Sequence, residues 1–486
     1  SNRMRRASLS LGAANALDYG IQFLLPVILT RFLEPEAFGA YRLFWLVTTT
    51  ALSFATWAMP QSLYFFLPRS NAQHKRLYIN QVLLFLVLGG ALAALILSPA
   101  NPLLPGNVRA LAQFGWLPPL FVLLWIVSST LDFLPTADGR AHWQAKAIIG
   151  LSMLRAALVG LAALWTGSLL AVIWALLAFV LIKQALLLFY VARYHGLGRP
   201  LYAPGALREQ VRHALPFGLA GMLYGFRGQA EQWVAASLFS IGQFAAFSVA
   251  SVLGPLVALF RQSMNQAFLA KMSKLHAEGE LAAMLHLNNR ANVALALLLF
   301  PALGFAFAFS EALITLVFTA AHAEGGAVMR IYIIALVAAS IELNNVMFLL
   351  KQGHYMSRIN LATLAICILA SYLGAQAYGM PGAALGSLAA AYTERAWSLR
   401  RIATLLKLPF AQLQDWFQLA RILIASIGAA ILSWIVTMQI ADQWPLLPKL
   451  AFAGVIFCAG YAGGLLVLGL GPLLRALLAR KSWAGP

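Results

Sequence analysis

Long apolar stretches, each followed by a short polar or charged connection, repeat along the whole chain. A helix needs about 20 apolar residues to cross a bilayer, and fourteen stretches reach that length. The pattern therefore predicts an all-α protein with fourteen transmembrane helices and no large domain on either side of the membrane. The cores of the predicted spans are 8–30, 41–66, 78–98, 113–134, 147–165, 168–191, 213–239, 244–268, 289–310, 327–350, 358–377, 382–403, 419–441 and 448–474.

Composition supports a membrane location. Hydrophobic residues make up 61% of the chain, charged residues only 10%, and the mean hydropathy is +0.79, whereas soluble proteins carry about 25% charged residues. So few charges could not cover the surface of a soluble protein of this length. The two cysteines, Cys367 and Cys458, lie in apolar stretches. Without metal-ligand spacing elsewhere, we expect no disulfide framework, no metal and no bound cofactor.

Lysine and arginine are unevenly distributed between the predicted connections. The amino terminus, the even-numbered connections and the carboxyl tail hold 24 of the 34, the opposite side holds five, and five lie within spans. Because cytoplasmic loops retain positive charge, both termini are predicted to lie in the cytoplasm. The net charge of +19 does not indicate nucleic-acid binding, since no basic segment is interleaved with aromatic residues on a soluble surface.

Two similar segments suggest an internal duplication. FLEPEAFGAY (32–41) joins the first and second spans, and FSIGQFAAFS (239–248) joins the seventh and eighth. Aligning Phe38 with Phe244 gives an offset of 206 residues, and parallel repeats of this kind are a known plan of membrane transporters. We expect two pseudo-symmetric six-helix lobes around a central cavity, followed by two additional spans: an N-lobe at 1–191, a cytoplasmic linker at 192–212, a C-lobe at 213–403, and the last spans with a cytoplasmic tail at 404–486.

The segment LTRFLEPEAFGAYRLFWLVTTTALSFATWAMPQSLYFFLPR (29–69) resembles the amino-terminal signature of Wzx-type polysaccharide flippases. These belong to the MOP superfamily, with lipid II flippases and MATE drug exporters as relatives. Shorter similar segments are LFSIGQFAAFSVAS (238–251), LVFTAAHAEGGAVMRIYIIAL (316–336) and YGMPGAALGSLAAAY (378–392), so the resemblance covers about residues 8–403. The fourteen-span count departs from many polysaccharide flippases and agrees with the lipid II flippase.

The resemblance implies a transporter rather than an enzyme, without catalytic residues. Its substrate would be an undecaprenyl-diphosphate-linked oligosaccharide, moved from the cytoplasmic to the periplasmic leaflet of the bacterial inner membrane by alternating access. Besides this lipid, the expected partners are membrane lipid and other polysaccharide-assembly proteins, and not nucleic acid. No nucleotide-binding motif is present, so the membrane potential, H⁺ or Na⁺ is expected to drive the cycle.

Several ionisable and amide side chains fall within predicted spans, where a charge costs at least about 2.5–3.5 kcal/mol unless it faces water, a partner or a substrate. Arginine is prominent among them. That bias suits a diphosphate, because a guanidinium stays ionised and can bind two oxygens at once. The candidates for substrate binding are Asp18, Gln22, Arg42, Arg227, Glu231 and Arg261, and those for a secondary cavity or coupling role are Arg155, Glu342, Asn344 and Asn345.

Each candidate also has a structural interpretation. Arg227 and Glu231 are four residues apart and could neutralise each other until a phosphate opens the pair. Arg261 has no acidic residue within one turn of its own helix, so its partner must come from elsewhere in the chain. Asp18 is a candidate partner for an arginine across the cavity, and Arg42 either lines the cavity or snorkels. Packing or interhelical roles are favoured for Arg155, Glu342, Asn344 and Asn345, and snorkelling for Lys183 and Arg421.

Three other functions fit parts of the pattern. A MATE-type, cation-coupled exporter of small molecules would favour an acid-rich cavity, against which the arginines argue. A membrane polysaccharide polymerase or ligase would carry a large periplasmic loop with catalytic residues, which this pattern lacks. A scaffold subunit of an envelope assembly would leave the charges within the spans without a role.

Overall fold

The structure, a computed structural model, describes residues 2–472. Within that range the chain forms helices and turns and no strand, which confirms the predicted all-α class. Among the described residues, ten helices are long and apolar enough to cross a membrane, so the protein is a multi-pass membrane protein. The predicted second, seventh, tenth and twelfth spans are also helical but do not reach that standard, because they are interrupted or carry several polar residues.

The chain divides by its internal contacts into two compact units, Ser1–Ala245 and Ala246–Pro486, called here the first and second unit. The predicted six-helix lobes and their boundaries stay a prediction. The helices that begin in the first unit are α1 (Asn2–Phe32), α2 (Pro35–Thr56), α3 (Met59–Phe66), α4 (Ala72–Ile96), α5 (Gly106–Arg109), α6 (Leu117–Ser128), α7 (Leu134–Ala137), α8 (Ala141–Thr166), α9 (Leu169–Tyr194), α10 (Pro204–Leu238) and α11 (Ile241–Ala250).

The second unit continues in the same way with helical pairs, of which α17 with α18 and α19 with α20 pack most extensively. Its helices are α12 (Leu253–Ala277), α13 (Leu281–Ala308), α14 (Ser310–Phe318), α15 (Gly325–Ala339), α16 (Asn344–Leu349), α17 (Gly353–Ala383), α18 (Leu385–Leu406), α19 (Trp416–Ile440) and α20 (Leu446–Val467). Short 3₁₀ turns lie at Leu67–Arg69, Ala110–Phe114, Ser129–Asp132, Ala320–His322 and Phe410–Gln412.

Two segments that were each predicted as a single span are broken in the middle. In the second span, Trp57 and Ala58 adopt left-handed backbone, with φ of 46° and 55°, and separate α2 from α3. In the tenth span the chain leaves the helix between α15 and α16. Non-helical backbone at membrane depth is stable only where protein or a water-lined cavity satisfies its polar groups. The surroundings of these breaks therefore identify the polar parts of the interior.

The two duplicated segments adopt the same local structure. In each, one helix ends and the next begins after two residues: α1 to α2, and α10 to α11. The segments also touch, because a Cβ added at Gly39 would overlap the carbonyl oxygen of Ile241. Glycine permits this close backbone approach, so the fold requires Gly39 for a reason that hydropathy does not reveal.

A buried polar cluster fixes the connection that follows α9. The Asp138 carboxylate accepts hydrogen bonds from Tyr190 Oη (2.8 Å) and His195 Nε2 (2.6 Å), and Arg76 Nε donates to the His195 carbonyl oxygen at 2.8 Å. Burial raises the pKa of the Asp138 carboxyl, but the hydrogen bonds from His195 and Tyr190, together with the charge of Lys75, hold that pKa below its ordinary value of 3.8.

Asp138→Asn is expected to lower the thermal midpoint of the detergent-solubilised protein at neutral pH. A carboxyl with a depressed folded-state pKa contributes stability above its unfolded pKa and loses that stability as the pH falls through the folded value. The difference in thermal midpoint between wild type and variant should therefore become smaller as the pH falls from about 5 to about 3. Fluorescence-detected unfolding measures it, with Asp442→Asn, an exposed carboxylate, as the control. A constant gap across this range would contradict the ionic role of Asp138.

Candidate functional site

The first group of predicted site residues meets between α1 and α8 in the first unit. Asp18 Oδ1 accepts hydrogen bonds from Ser152 Oγ (2.5 Å) and Arg155 Nη2 (3.0 Å), and Asp18 Oδ2 accepts one from Gln22 Nε2 (2.6 Å). Arg155 is only 8% exposed, so its charge needs this carboxylate. Asp18 is thus paired with an arginine of the adjacent helix, and not with one from across a cavity as expected.

The predicted residues on α10, Arg227 and Glu231, lie close in sequence to a second polar contact of the first unit, which joins α2 and α10. Thr50 Oγ1 donates to Gln229 Oε1 at 2.5 Å and accepts from Trp233 Nε1 at 2.9 Å, which joins the two helices at mid-span. Near this contact on α10, Arg227 is half-buried and Glu231 is buried. Whether these two neutralise each other stays a prediction.

Arg42 occupies the opposite end of α2 from the break at Trp57. Its side chain is half-buried beside the buried Tyr41. Within residues 2–472, no hydrogen bond or ion pair to the Arg42 guanidinium is found. In contrast to the Arg155 guanidinium, which is paired with Asp18, the Arg42 guanidinium therefore keeps all of its N–H donors for an anion.

The expectation that Lys183 snorkels to the membrane surface is wrong. Lys183 is 5% exposed, its Nζ donates to Asp132 Oδ2 at 2.9 Å, and it lies 4.7 Å from the centre of the Trp125 ring. Asp132 comes from the 3₁₀ turn after α6, a location that only the fold brings next to α9. Lys183 therefore has a structural partner inside the first unit.

The second unit contains its own polar centre at the break between α15 and α16. Glu342 is buried in this break, and its backbone groups are satisfied by side chains of α13. Its N–H donates to Asn292 Oδ1 at 3.1 Å, and its carbonyl oxygen accepts from Asn288 Nδ2 (3.0 Å) and Asn292 Nδ2 (3.2 Å). Asn292 also donates to Gln414 Oε1 at 3.0 Å. The helix can break here because these amides replace the lost backbone hydrogen bonds.

The Glu342 side chain links this break to Arg261. Its Oε1 accepts from the backbone N–H groups of Leu343 (3.1 Å) and Asn344 (2.8 Å), which lie at the start of α16. Its Oε2 accepts from Arg261 Nε (2.9 Å) and Nη2 (2.8 Å). The Glu342 side chain is 4% exposed and that of Arg261 21% exposed. The partner of Arg261 thus comes from outside its own helix, as the sequence required, and Arg261 Nη1 makes no hydrogen bond within residues 2–472.

The two predicted asparagines have different surroundings. Asn345 is buried, and its Nδ2 donates to the carbonyl oxygen of Asn265 on α12 at 2.9 Å, which is the expected interhelical bond. The Asn344 side chain is exposed, and only its backbone N–H contributes to the Glu342 cap. Neither arrangement tests contact with a substrate.

Sequence reasoning missed the residues that build the break. Asn288 and Asn292 are four residues apart and therefore lie on one face of a helix, a spacing that signals a polar face on α13. Gln414 and Ser152 carry no comparable signal, because single amides and hydroxyls occur throughout membrane helices. Their roles follow from the packing of helices that are distant in sequence.

Comparison with known structures gives the class of the fold. The chain is similar to the lipid II flippase MurJ in an inward-closed conformation, with a TM-score of 0.69 and 13% identity over 94% of this chain and 99% of that one. An inward-facing multidrug resistance MATE family transporter of the MOP superfamily gives a TM-score of 0.63 and 15% identity, covering 80% and 95%. A MOP superfamily transporter from Pyrococcus furiosus gives 0.54 and 15%, covering 82% and 96%.

These similarities establish the fold of MOP superfamily transporters. The family model described as "Polysaccharide biosynthesis protein" matches residues 4–276, more than half of the 486 residues. The chain therefore belongs to the polysaccharide biosynthesis protein family. No curated protein matches its sequence. Family and fold together agree with the resemblance seen in residues 29–69.

Proposed function

We propose that this protein carries an undecaprenyl-diphosphate-linked oligosaccharide from the cytoplasmic to the periplasmic leaflet of the bacterial inner membrane by alternating access. The family acts in polysaccharide biosynthesis, and a lipid II flippase shares the fold; both support a lipid-linked sugar as the substrate. No covalent chemistry is involved, so the protein is not an enzyme. Both termini face the cytoplasm, as the distribution of lysine and arginine predicts.

The observation that carries the proposal is the incomplete pairing of Arg261. Its guanidinium uses Nε and Nη2 on a single oxygen of Glu342, keeps 21% of its surface exposed, and leaves Nη1 for another acceptor. A guanidinium binds phosphate oxygens through two parallel N–H groups. Arg261 can therefore take a diphosphate oxygen while Glu342 neutralises the cation in the empty state.

Arg42 supplies a second anion-binding group, because it is half-buried and lacks a carboxylate partner within residues 2–472. Arg155 differs, since Asp18 already compensates its charge. We propose that Arg42 and Arg227 in the first unit and Arg261 in the second unit each act as an anion-binding group for the diphosphate. Asp18, Glu231 and Glu342 are the groups through which H⁺ or Na⁺ would couple to transport, with the membrane potential, at about 2.3 kcal/mol per charge per 100 mV, as the other driving force.

Transfer of polyprenyl-diphosphate oligosaccharide between the leaflets of proteoliposomes tests this function. Arg42→Ala and Arg227→Ala are each expected to slow transfer at least about tenfold, because a hydrogen bond to a charged group is worth about 1.5–3 kcal/mol. Arg330→Ala is the matched control, since Arg330 forms an exposed pair with Glu311 at 3.0 Å and should leave the rate unchanged.

Two results would contradict the proposal. Normal transfer by both folded variants would remove the arginines from the site while keeping the family assignment. Export of an organic cation by wild type, without transfer of the lipid-linked oligosaccharide, would favour the MATE-type function suggested by the second structural similarity.

A further inference from the structure

A cavity of about 550 Å³ lies between α2, α3 and α10, entirely within the first unit. Its size falls in the range of about 300–1,000 Å³ that is usual for small-molecule sites. None of the predicted site residues lines it. The side chains that give it chemical character are Thr56, Gln61, Tyr64, Phe65, His213 and Phe217.

The break between α2 and α3 shapes this cavity. Trp57 and Ala58 hold left-handed backbone although neither is glycine, and such conformations persist only where the surrounding structure imposes them. Here the backbone of α10 packs directly against the break, because a Cβ added at Gly218 would overlap the Trp57 carbonyl oxygen. The break separates α2 from α3, and Ala58 of the break lines the cavity together with Phe217.

The polar groups of the cavity are available for a ligand. Ser53 and Ser62 are already used, since each hydroxyl donates to a backbone carbonyl of its own helical segment. By contrast, the polar groups of Thr56, Gln61 and His213 make no hydrogen bond with any part of the chain between residues 2 and 472. The same holds for the Tyr64 hydroxyl. Four unused polar groups thus converge on one cavity.

Two aromatic rings beside these groups keep much of their surface exposed, although Tyr64 meets Phe133 edge-to-face at 6.2 Å and Phe217 lies 5.8 Å from the His213 ring. Tyr64 is 44% exposed and Phe217 is 66% exposed. Phe65 is not available in this way, because His213 stacks on it at 4.2 Å and the Arg69 guanidinium covers it at 3.9 Å. Exposed aromatic surface next to hydroxyl, amide and imidazole groups complements a pyranose ring, which presents C–H groups on its faces and hydroxyls at its edge.

Charge narrows the ligand class further. Among the described residues that line the cavity there is no lysine, arginine, aspartate or glutamate. A phosphate or an acidic sugar would need cations, an organic cation would need a carboxylate, and a polyprenyl tail would leave four polar groups unsatisfied. A neutral ring that carries several hydroxyl groups can pack on the aromatic side chains and also hydrogen-bond with the uncharged polar groups of the lining.

We infer that this cavity is a subsite for a neutral sugar ring, separate from the arginines that take the diphosphate. The inference rests on the proposed function and adds to it a location and a selectivity. In the orientation predicted from the lysine and arginine distribution, the cavity lies in the cytoplasmic half of the membrane. A sugar there would be recognised before transfer to the periplasmic leaflet.

The test compares two probes on the full-length protein in nanodiscs by thermophoresis: undecaprenyl diphosphate, and undecaprenyl diphosphate carrying one N-acetylglucosamine. Wild type should bind the glycosylated carrier more tightly. The double variant Gln61→Leu/Phe217→Ala should bind it about tenfold more weakly, because an aromatic platform and a hydrogen bond are lost. Its affinity for the sugar-free carrier should be unchanged. Leu219→Ala, an exposed residue of α10 outside the cavity, is the control.

The outcomes separate this inference from the proposed function. Wild type that binds both carriers equally, or a double variant that binds the glycosylated carrier as wild type does, would overturn the sugar subsite and leave the flippase proposal intact. If the double variant bound both carriers more weakly by the same factor, the sugar subsite would also be overturned. The cavity would then contribute to diphosphate binding or to folding. Failure of wild type to bind either carrier would count against the proposed function itself.

Discussion

The double variant Arg261→Met/Glu342→Gln is expected to yield a folded protein that does not transport. Each single replacement should be much less stable, because it leaves one charge without its partner; breaking a buried pair in this way costs about 3–5 kcal/mol. Replacing both charges together is often nearly neutral. The side-chain carbonyl of the introduced glutamine would still accept from the backbone N–H groups of Leu343 and Asn344, as Glu342 Oε1 does now.

Two measurements on wild type, the two single variants and the double variant distinguish an effect on stability from an effect on transport. Thermal unfolding in detergent should show the double variant near wild type and both single variants clearly lower. Transfer in proteoliposomes should stay at least about tenfold slower in the double variant, since the charge-assisted bonds from Arg261 to the diphosphate are missing. The exposed pair of Arg330 and Glu311, replaced in the same way, provides the control. A double variant that transports normally would show that Arg261 serves only to hold the break between α15 and α16.

Gly39→Ala is expected to destabilise the first unit, although it adds a single methyl group. That methyl would overlap the carbonyl oxygen of Ile241, and backbone atoms cannot move aside as a flexible side chain can. Overpacking of this kind typically costs about 1–3 kcal/mol, which for a protein of this size lowers the thermal midpoint by several degrees. Expression in the membrane and the midpoint in detergent measure the effect.

Gly20→Ala is the matched control for this substitution. Gly20 lies in α1 with no atom within 4 Å of the position that its Cβ would take. Alanine also favours helix over glycine by roughly 1 kcal/mol, so Gly20→Ala should be neutral or stabilising. Equal behaviour of the two variants would mean that the contact between the duplicated segments contributes nothing to stability.

Hydropathy was sufficient to predict the class of the fold. The energetic cost of exposing backbone or charge to hydrocarbon is large and local, so long apolar stretches become helices almost independently of their neighbours. For the same reason, the position of Arg261 within a span was enough to require a partner from elsewhere in the chain, and Glu342 is that partner. The two similar segments were also predicted to join two helices by a short turn, and each does so.

The breaks and the pairings could not be read in the same way. Both segments are long enough to be predicted as single spans, but the backbone leaves the helix at Trp57 and at Glu342, because contacts with α10 and with the amides of α13 hold the chain there. Lys183 was assigned to the membrane surface, and Asp132 from a distant turn holds it inside. Lys183 and Asp132 are 51 residues apart in sequence, and Asp18 and Arg155 are 137 apart. Which charges pair depends on distances between such remote side chains, and no local sequence pattern contains those distances.

What the order of amino acids settled by itself was membrane insertion, helix content and the need for buried charges to be compensated, because each follows from transfer free energies of single segments. The three-dimensional packing settled which carboxylate compensates which cation, where helices break and where a neutral cavity opens. Those outcomes depend on distances of a few ångströms between helices that are distant in sequence. A change of a few ångströms in such a distance decides whether an arginine is fully paired or retains a free N–H edge.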